Sequence, residues 1–371
     1  DVKSINKINV WDITNLAEIK NLFVNEKDSS CYFDLELDTI KKIIVFGDNQ
    51  FFSPIYKEQI NPQNLHNEAP VNYIIITTHD FKEEAQRLIS LHKTEDELTG
   101  KIFYTDEIFN EFSSGRPEAT AIRNFIKMLY KKGENTPDSV QYVLLLGDGS
   151  FDPKNRLLNN NNIIPTFQSS NSVKLTSSYV TDDIFGLMDD NEGNYENGDL
   201  LDISVGRLPV KSKTQAKNII DKIFEYYNKY DTKNVSNNFK KKSLNSNGSW
   251  KNNIVFIADD EDLNEHMRQT DILANLVDTS IEKLNIKKIF LDSYYQETSL
   301  FGNKSPEANK ALIKSINEGA LLINYTGHGG ELGWTAENIL MIDDIVEMKN
   351  RHKLPLFMTA TCEFSRFDDP Q

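Results

Sequence analysis

A histidine and a cysteine each follow an apolar run that has the length of a buried strand. His328 lies in the glycine cluster that ends LLINYTGHGG, and Cys362 follows LPLFMTAT. Cysteine attacks carbonyl groups as the thiolate, and a nearby histidine lowers its pKa or removes its proton. If both runs are strands of one parallel sheet, the two side chains lie at the same edge, although the strands need not be neighbours. The pattern predicts a nucleophile and a general base for acyl transfer.

The residues around this pair could supply the other parts of an acyl-transfer site. The glycines beside the histidine let the backbone bend, and the main-chain N–H groups of Gly329 and Cys362 could donate to a developing oxyanion. A third group usually orients the imidazole. The acidic cluster Asp259–Asp262 ends another apparent strand, and Glu261 in particular is well placed for this role.

From Val71 onwards, apolar runs of strand length alternate with segments of helical periodicity. The predicted strands are VNYIIITTHD, GKIFYTD, VQYVLLLGDGSFD, LLDISVGRLPV, NNIVFIADDED, IKKIFLDSYY, ALLINYTGHGG and LPLFMTATCEF. The predicted helices are FKEEAQRLISLHKTE, EATAIRNFIKMLYKKG, KTQAKNIIDKIFEYYNKY, NEHMRQTDILANLVDTS, SPEANKALIKSINEG and IDDIVEMKN. This alternation predicts an α/β protein with mostly parallel sheets that are covered by helices.

Polar segments divide the sequence into three predicted regions. Residues 1–66 are expected to be the end of an upstream β-rich region with a linker, since residues 56–70 are polar and contain two prolines. Residues 67–235 form a first predicted α/β subdomain, and residues 236–371 form a catalytic one beside it. Because the chain lacks an initial methionine and ends directly after a strand, we expect it to be an interior piece of a longer protein, truncated within the catalytic subdomain.

The composition excludes several classes of function. The formal net charge of the 371 residues is −15 and no block of Lys and Arg occurs, which argues against nucleic-acid binding. No apolar run approaches the ~20 residues of a membrane-spanning helix. Cys31 and Cys362 are the only cysteines, so neither a disulfide framework nor a zinc site of thiolates is predicted. The segment GDGS lacks the glycine patterns of nucleotide-binding loops, which makes a phosphate binder a weak alternative.

The motifs around His328 and Cys362 resemble those of the gingipain-type cysteine peptidases, which are relatives of caspases and legumains. The resemblance covers most of residues 71–371 and includes NYTGHGG, PLFMTATCEFSRFDDP, YVLLLGDGSFDP, VGRLPV and FIADDED. It implies a caspase-like α/β fold with His328 as general base, Cys362 as nucleophile, and the amides of Gly329 and Cys362 as oxyanion hole. The family's orienting glutamate falls on Glu261, and a slip of the alignment would move this role to Asp260 or Asp259.

The expected substrate site departs from that of the arginine-specific members of the family. Those members place an aspartate in the specificity pocket where this sequence has His266, beside Glu265. The difference favours the branch of the family that acts as signal peptidase and sortase in the type IX secretion system of Bacteroidota. Tyr179, Trp334 and Arg366 flank the predicted site and could shape a substrate groove, although packing in the core or at the rim is the favoured alternative for each.

This branch implies a function at the outer-membrane surface of a Gram-negative bacterium. The enzyme would remove the C-terminal secretion signal from cargo proteins and pass the cargo, through a thioester, to water or to an amine of anionic lipopolysaccharide. Its partners would be secreted cargo and other outer-membrane components of the secretion machinery. The alternatives are a catalytically idle docking module of that machinery and a secreted gingipain-like protease.

The chemistry predicted for the nucleophile and the base requires no cofactor. Calcium is compatible with the sequence, since TDDIFGLMDDNEGN offers hard oxygen ligands from Asp182, Asp183, Asp189 and Asp190. This segment lacks the full EF-hand loop, and the resemblance implies that relatives bind calcium at other loops too. Solvated acidic turns are the alternative interpretation.

Overall fold

Two compact units divide the chain, Asp1–Pro62 and Gln63–Gln371. The structure is a computed structural model that describes residues 7–27, 30–36, 38–56, 58–169, 174, 178–193, 198–227, 248–299, 302–364 and 366–369. The boundary between the units falls within the polar segment 56–70 that the sequence indicated. Residues 228–247 lie outside the described residues, so the predicted division between residues 235 and 236 stays a prediction. Within the described ranges, no helix has the length and apolar character needed to cross a bilayer.

The first unit contains short antiparallel strands. They are β1 Ile8–Asp12, β2 Lys20–Leu22, β3 Asn25–Lys27, β4 Ser30–Tyr32 and β5 Ile43–Gly47. Three of them form a sheet in the order β2-β1-β5, and β3 pairs with β4. This unit is β-rich, as the sequence indicated for its N-terminal region.

The first sheet of the second unit is parallel and has the order β11-β8-β6-β7. The strands of this half are β6 Tyr73–Thr77, β7 Gly100–Tyr104, β8 Tyr142–Leu146, β9 Phe167–Gln168, β10 Val180–Thr181 and β11 Ser204–Leu208. The helices are α1 Lys82–Glu95, α2 Thr105–Phe112, α3 Ala119–Gly133 and α4 Lys213–Tyr226. The sequence predicted all of these except α2 and the two-residue strands β9 and β10, which pair with each other.

Both faces of this sheet are buried, which explains why its central strand is a continuous apolar run. Successive residues of a strand point to opposite faces. In β6, Ile74 therefore belongs to the core cluster that includes Phe125 of α3, whereas Ile75 belongs to the cluster that includes Leu88 of α1. Helices thus cover the sheet on both sides, as expected for parallel strands.

The second sheet is also parallel, with the order β13-β12-β16-β20. The strands of this half are β12 Asn253–Ala258, β13 Asn285–Phe290, β14 Glu297–Ser299, β15 Gly302–Lys304, β16 Leu322–Thr326, β17 Gly329–Gly330, β18 Gly333–Trp334, β19 Leu340–Met341 and β20 Leu356–Ala360. The helices are α5 Glu261–Ser280, α6 Pro306–Glu318 and α7 Ile342–Glu347. The short strands form a β14-β15 hairpin and a β17-β18-β19 sheet.

The core of this half lies mainly between the sheet and α6. Ile257 and Ile323 belong to one buried cluster with Leu312 of α6. On the other face, Phe256 packs with Ala274 of α5. By contrast, all five residues of the edge strand β20 are exposed. The two parallel sheets confirm the α/β fold class that the alternating pattern predicted.

Candidate active site

The ends of three neighbouring strands bring the predicted histidine and cysteine motifs together. Thr326 at the end of β16 is paired with Ala360 at the end of β20, and on its other side with Ala258 at the end of β12. His328 and Cys362 therefore each follow their strand end by two residues, at the same level of the sheet. The sequence placed both at one edge, and the structure makes their strands neighbours.

The loops that carry these two residues are in contact. The N–H group of Gly327 donates to the carbonyl oxygen of Ala360 over 3.1 Å. A Cβ atom added to Gly329 would lie 3.1 Å from the carbonyl oxygen of Cys362 and would collide with Thr361 Oγ1. Only a glycine therefore fits at position 329 without a shift of the chain around Cys362. Both the Cys362 residue and the His328 side chain, which is 50% exposed, are open to solvent.

The main chain of His328 is fixed from both sides. Its N–H group donates to Asp259 Oδ2, and its carbonyl oxygen accepts hydrogen bonds from the Tyr325 hydroxyl and from the N–H group of Thr335. Asp259 is fully buried and is the first residue after β12. These bonds hold the main chain from which the imidazole projects, and therefore fix the point at which the side chain starts.

The carboxylate that contacts the imidazole of His328 belongs to Asp262, which the sequence analysis did not select. Asp262 Oδ2 lies 3.0 Å from His328 Nε2. Asp262, Leu263 and Asn264 have φ values of 52°, 56° and 62°, so the first turn of α5 contains three consecutive left-handed residues. Such backbone is costly outside glycine and is concentrated at functional sites. The acidic run 259–262 indicated this region, but not the turn that selects its last member.

The predicted orienting residue Glu261 does not contact the histidine ring. Its Oε2 atom is buried without a hydrogen-bond partner, and its carboxylate lies beside those of Asp260 and Glu337. Burial, reinforced by the negative charges of Glu337 and Asp259, raises the pKa of Glu261 to about 7. Of the two alternatives, Asp259 accepts a hydrogen bond from the His328 main chain and has a carboxylate oxygen within 4.8 Å of a His328 ring nitrogen, whereas Asp260 accepts a hydrogen bond from Gln296.

His266 lies next to His328. The centroids of the two rings are 5.1 Å apart, and their planes are nearly perpendicular. His266 Nδ1 is 2.7 Å from Asp259 Oδ1, so Asp259 links both histidines. Glu265, in contrast, forms hydrogen bonds with Arg268 and Gln269 on the surface of α5. In the part of the chain that the structure describes, it forms no hydrogen bond with His266, His328 or Cys362.

The prediction that Trp334 shapes a substrate groove is wrong. Its side chain is fully buried and stacks on the ring of Tyr325, with centroids 4.3 Å apart. A large apolar ring gains more from burial in this core than from exposure at a groove. Trp334 therefore supports the residue whose hydroxyl holds the His328 carbonyl group.

Tyr179 and Arg366 line a cavity of about 490 Å³ beside the cysteine loop. The lining consists of Phe151, Gln168, Ser169, Ser178, Tyr179, Val180, Glu363, Phe364, Arg366, Phe367 and Asp368. Because Glu363 and Phe364 directly follow Cys362, the cavity borders the loop that carries the cysteine. Arg366 also forms ion pairs with Glu331 and Asp368, which connect the cysteine loop to the turn after β17.

The four aspartates proposed as calcium ligands are not brought together. Asp182 forms a bidentate ion pair with Arg207, and Asp190 is paired with Lys127 and Lys131. In the described part of the chain, none of the four belongs to a group of carboxylates and histidines that lie close enough together to hold a metal ion. Because these cations already neutralise Asp182 and Asp190, the segment does not fit a calcium loop.

The fold, with two parallel sheets in which a histidine and a cysteine follow adjacent strands, is consistent with the caspase-like class of α/β proteins. Residues 66–371 match the family model of peptidase family C25, and the chain belongs to that family. The family consists of cysteine peptidases of the gingipain type, as the sequence motifs indicated.

Relatives in the same family come from Porphyromonas gingivalis. Gingipain R2 of strain W83 is 22% identical over 324 residues, which are 84% of this chain and 35% of the relative. Gingipain R1 is 23% identical over 251 residues, or 66% of this chain and 20% of the relative. The chain thus spans about a third or less of the length of these curated relatives.

Solved structures share the fold. The crystal structure of dimeric latent PorU from Porphyromonas gingivalis has a TM-score of 0.50 at 30% identity, over 59% of this chain and 22% of that one. The Arg-specific cysteine proteinase gingipain R has a TM-score of 0.53 at 20% identity, over 84% of this chain and 56% of that one. The second likeness concerns the fold alone.

Proposed function

We propose that this protein is a cysteine endopeptidase in which Cys362 is the nucleophile and His328 the general base. The observation that carries the proposal is the strand register. Thr326 is paired with Ala360, and His328 and Cys362 each follow two residues after these paired residues. The contact between Gly329 and the Cys362 main chain supports the same arrangement. In this proposal Asp262 orients the imidazole, and the role earlier assigned to Glu261 passes to it.

The proposed reaction proceeds through a thioester. His328 accepts the proton of the Cys362 thiol, and the sulfur attacks the carbonyl carbon of the scissile peptide bond. The main-chain N–H groups of Gly329 and Cys362 donate to the resulting oxyanion. The C–N bond then breaks, the amine leaves with the proton from His328, and the acyl group remains on sulfur. Attack by water or by a second amine releases the acyl group and restores the thiol.

We further propose that the substrate is a secretion cargo with a C-terminal signal, and that the acceptor is an amine of anionic lipopolysaccharide at the outer-membrane surface. Support comes from the likeness to PorU and from His266, which replaces the aspartate expected in arginine-specific members. His266 Nδ1 lies 2.7 Å from the buried Asp259, so an imidazole, and not a carboxylate, occupies the position where the arginine-specific members have their aspartate. A secreted protease with another specificity is the alternative within the same class.

Replacement of the nucleophile in the whole protein tests this proposal. We expect that Cys362→Ala, introduced into the native bacterium, leaves cargo with its C-terminal signal and without a lipid-linked mass, as read by intact mass spectrometry. Cys31→Ser is the matched control, since Cys31 is also a free and exposed cysteine. Unchanged cargo masses in the Cys362→Ala strain would show that this residue is not the nucleophile of the step.

A catalytically idle docking module is the second candidate function. The exposure of Cys362 next to the histidine loop disfavours it, because an idle module has no need for this pair. Alkylation by iodoacetamide at neutral pH separates the two functions. A peptidase should be alkylated at Cys362 much faster than at Cys31, whereas equal rates at the two cysteines would favour the docking module.

A further inference from the structure

Two histidine rings at the active site lie next to the same carboxylate oxygen. His328 Nε2 is 3.0 Å from Asp262 Oδ2, and His266 Nε2 is 3.8 Å from the same atom. Asp262 and His266 belong to the beginning of α5, whereas His328 follows β16. Two imidazole nitrogens and one carboxylate oxygen, from two different strand ends, are therefore grouped at one edge of the sheet.

The buried Asp259 determines which nitrogen of His266 is available to a ligand. Asp259 Oδ1 lies 2.7 Å from His266 Nδ1, and Asp259 Oδ2 accepts a hydrogen bond from the main-chain N–H group of His328. An ionised carboxylate only accepts hydrogen bonds, so in the neutral ring of His266 the proton is on Nδ1 and the lone pair is on Nε2. Histidines that bind a metal usually donate their other N–H group to a carboxylate in this way.

We propose that His266, His328 and Asp262 bind a zinc ion. Zinc binds imidazole nitrogen at about 2.0–2.1 Å and carboxylate oxygen at about 2.0–2.2 Å, usually with four ligands in a tetrahedron. Ligand atoms at about 2.1 Å from the centre of a tetrahedron are about 3.4 Å apart. The measured distances of 3.0 and 3.8 Å lie on either side of this value. Water would fill the fourth position.

The ligand types and their exposure favour zinc from solution. Calcium and magnesium prefer sets of oxygen ligands, whereas imidazole nitrogen suits zinc and other transition metals. The side chains of His266, His328 and Asp262 are 22%, 50% and 59% exposed, so an ion can reach all three from solvent. Asp259, which is buried, would act as the partner of His266 and not as a direct ligand.

Zinc at this site would prevent His328 from acting as a base. Any proton on its Nε2 atom is released to solvent when the metal binds. The neutral ring then keeps its remaining proton on Nδ1 and has no lone pair to accept the proton of the Cys362 thiol. Zinc would therefore switch the peptidase off reversibly. This consequence depends on the roles proposed for His328 and Cys362, whereas the binding of zinc does not.

Titration of the full chain with Co²⁺ and then Zn²⁺, in the absence of substrate, tests the site. Co²⁺ accepts the same ligands and has an intense visible absorption band in a tetrahedral site. We expect this band to appear with Co²⁺, to disappear when zinc displaces it, and to persist in calcium and magnesium. His266→Gln should weaken the binding of both ions by at least about 100-fold, because changes of an outer-shell partner already cost roughly 10–100-fold.

His92→Gln is the matched control for this variant. His92 Nδ1 also lies 2.7 Å from a carboxylate, that of Asp96, and its side chain is 21% exposed. This control and Cys362→Ala should both keep the cobalt band. Binding should also weaken below about pH 6.5, where protons compete for the imidazole nitrogens. If His266→Gln fails to fold by circular dichroism, Asp262→Asn takes its place.

The proposal is wrong if the unchanged protein shows no such band, or if His266→Gln and Asp262→Asn bind the ions as the control does. Loss of the band in Cys362→Ala would also overturn it, because the cysteine would then be a ligand. Peptide cleavage that continues with the site saturated by zinc would refute the inhibitory role. A protein that binds zinc but cleaves no peptide in metal-free buffer would contradict the proposed function while supporting the zinc site.

Discussion

Gly329→Ala tests the geometry that joins the histidine and cysteine loops. An added Cβ would collide with Thr361 Oγ1 and lie 3.1 Å from the Cys362 carbonyl oxygen. Because real Cβ atoms essentially never approach other atoms closer than 3.0 Å and this Cβ would lie well inside that distance of Thr361 Oγ1, Thr361 and the chain that leads to Cys362 must shift. We expect this shift to be on the order of 1 Å at the reacting groups. A displacement of this size between reacting groups costs about 10²-fold in rate, or about 2.7 kcal/mol of activation free energy.

Gly330→Ala provides the matched control for this variant. A Cβ at position 330 would meet nothing within 4 Å, so the same chemical change is expected to leave the site intact. Both variants are made in the Cys31→Ser background, which leaves Cys362 as the only thiol. The assays are the rate of Cys362 alkylation by iodoacetamide at neutral pH and the cleavage of peptides that carry a C-terminal secretion signal.

We expect Gly329→Ala to lose about 10²-fold in kcat/KM for peptide cleavage and to be alkylated more slowly, while Gly330→Ala stays within about twofold of the unchanged protein. Circular dichroism confirms that both variants are folded. Equal activity of the two folded variants would refute the reasoning, because it would show that the contact between Gly329 and the cysteine loop does not set the position of the reacting groups.

Three further predictions concern other residues. Asp262→Asn removes the carboxylate beside His328 and should lower kcat/KM by about 10-fold to 100-fold without loss of stability, and an unchanged pH profile would argue against an orienting role. Trp334→Ala should destabilise the protein by about 3–5 kcal/mol in urea unfolding, and a loss below 1 kcal/mol would contradict its place in the core. Burial alone would raise the pKa of Glu111, but hydrogen bonds, including one from the Leu65 N–H group, lower it to about 2. Since the folded pKa is depressed, Glu111 stabilises the fold above about pH 4.5, and this stabilisation is lost as the pH falls toward 2. Glu111→Gln should therefore cost about 1–2 kcal/mol at pH 7 after allowance for solvent screening, with a difference that shrinks at pH 3.

Much of the fold could be predicted because the sheets are parallel and buried. A continuous apolar run such as YIIIT in β6 is required when both faces of a strand are covered, and periodic apolar residues mark the covering helices. Local signals also set helix ends, as in α6, where Pro306 is the first residue and Gly319 follows with φ of 98°. The helix α2 was not predicted, since it begins at Thr105 directly after β7 without a glycine or proline between them.

The assignment of roles within the acidic run 259–262 depended on tertiary structure. From the sequence, Glu261 was the preferred partner of the histidine. In the folded chain, the left-handed turn directs Asp262 to the imidazole, and Glu261 faces Asp260 and Glu337 instead. Neighbouring carboxylates have the same chemistry, so only the backbone dihedral angles decide which of them reaches the ring. Those angles depend on packing that no local pattern encodes.

The sequence by itself determined that His328 and Cys362 lie at one edge of a sheet, because apolar runs end just before each of them, and parallel strands end on one side of a sheet. Only the tertiary structure decided that β16 and β20 are neighbours in a register that pairs Thr326 with Ala360. Strand order and register arise from contacts between residues far apart in the chain, through side-chain packing and main-chain hydrogen bonds between strands. Residue types and spacing along the sequence do not specify those contacts.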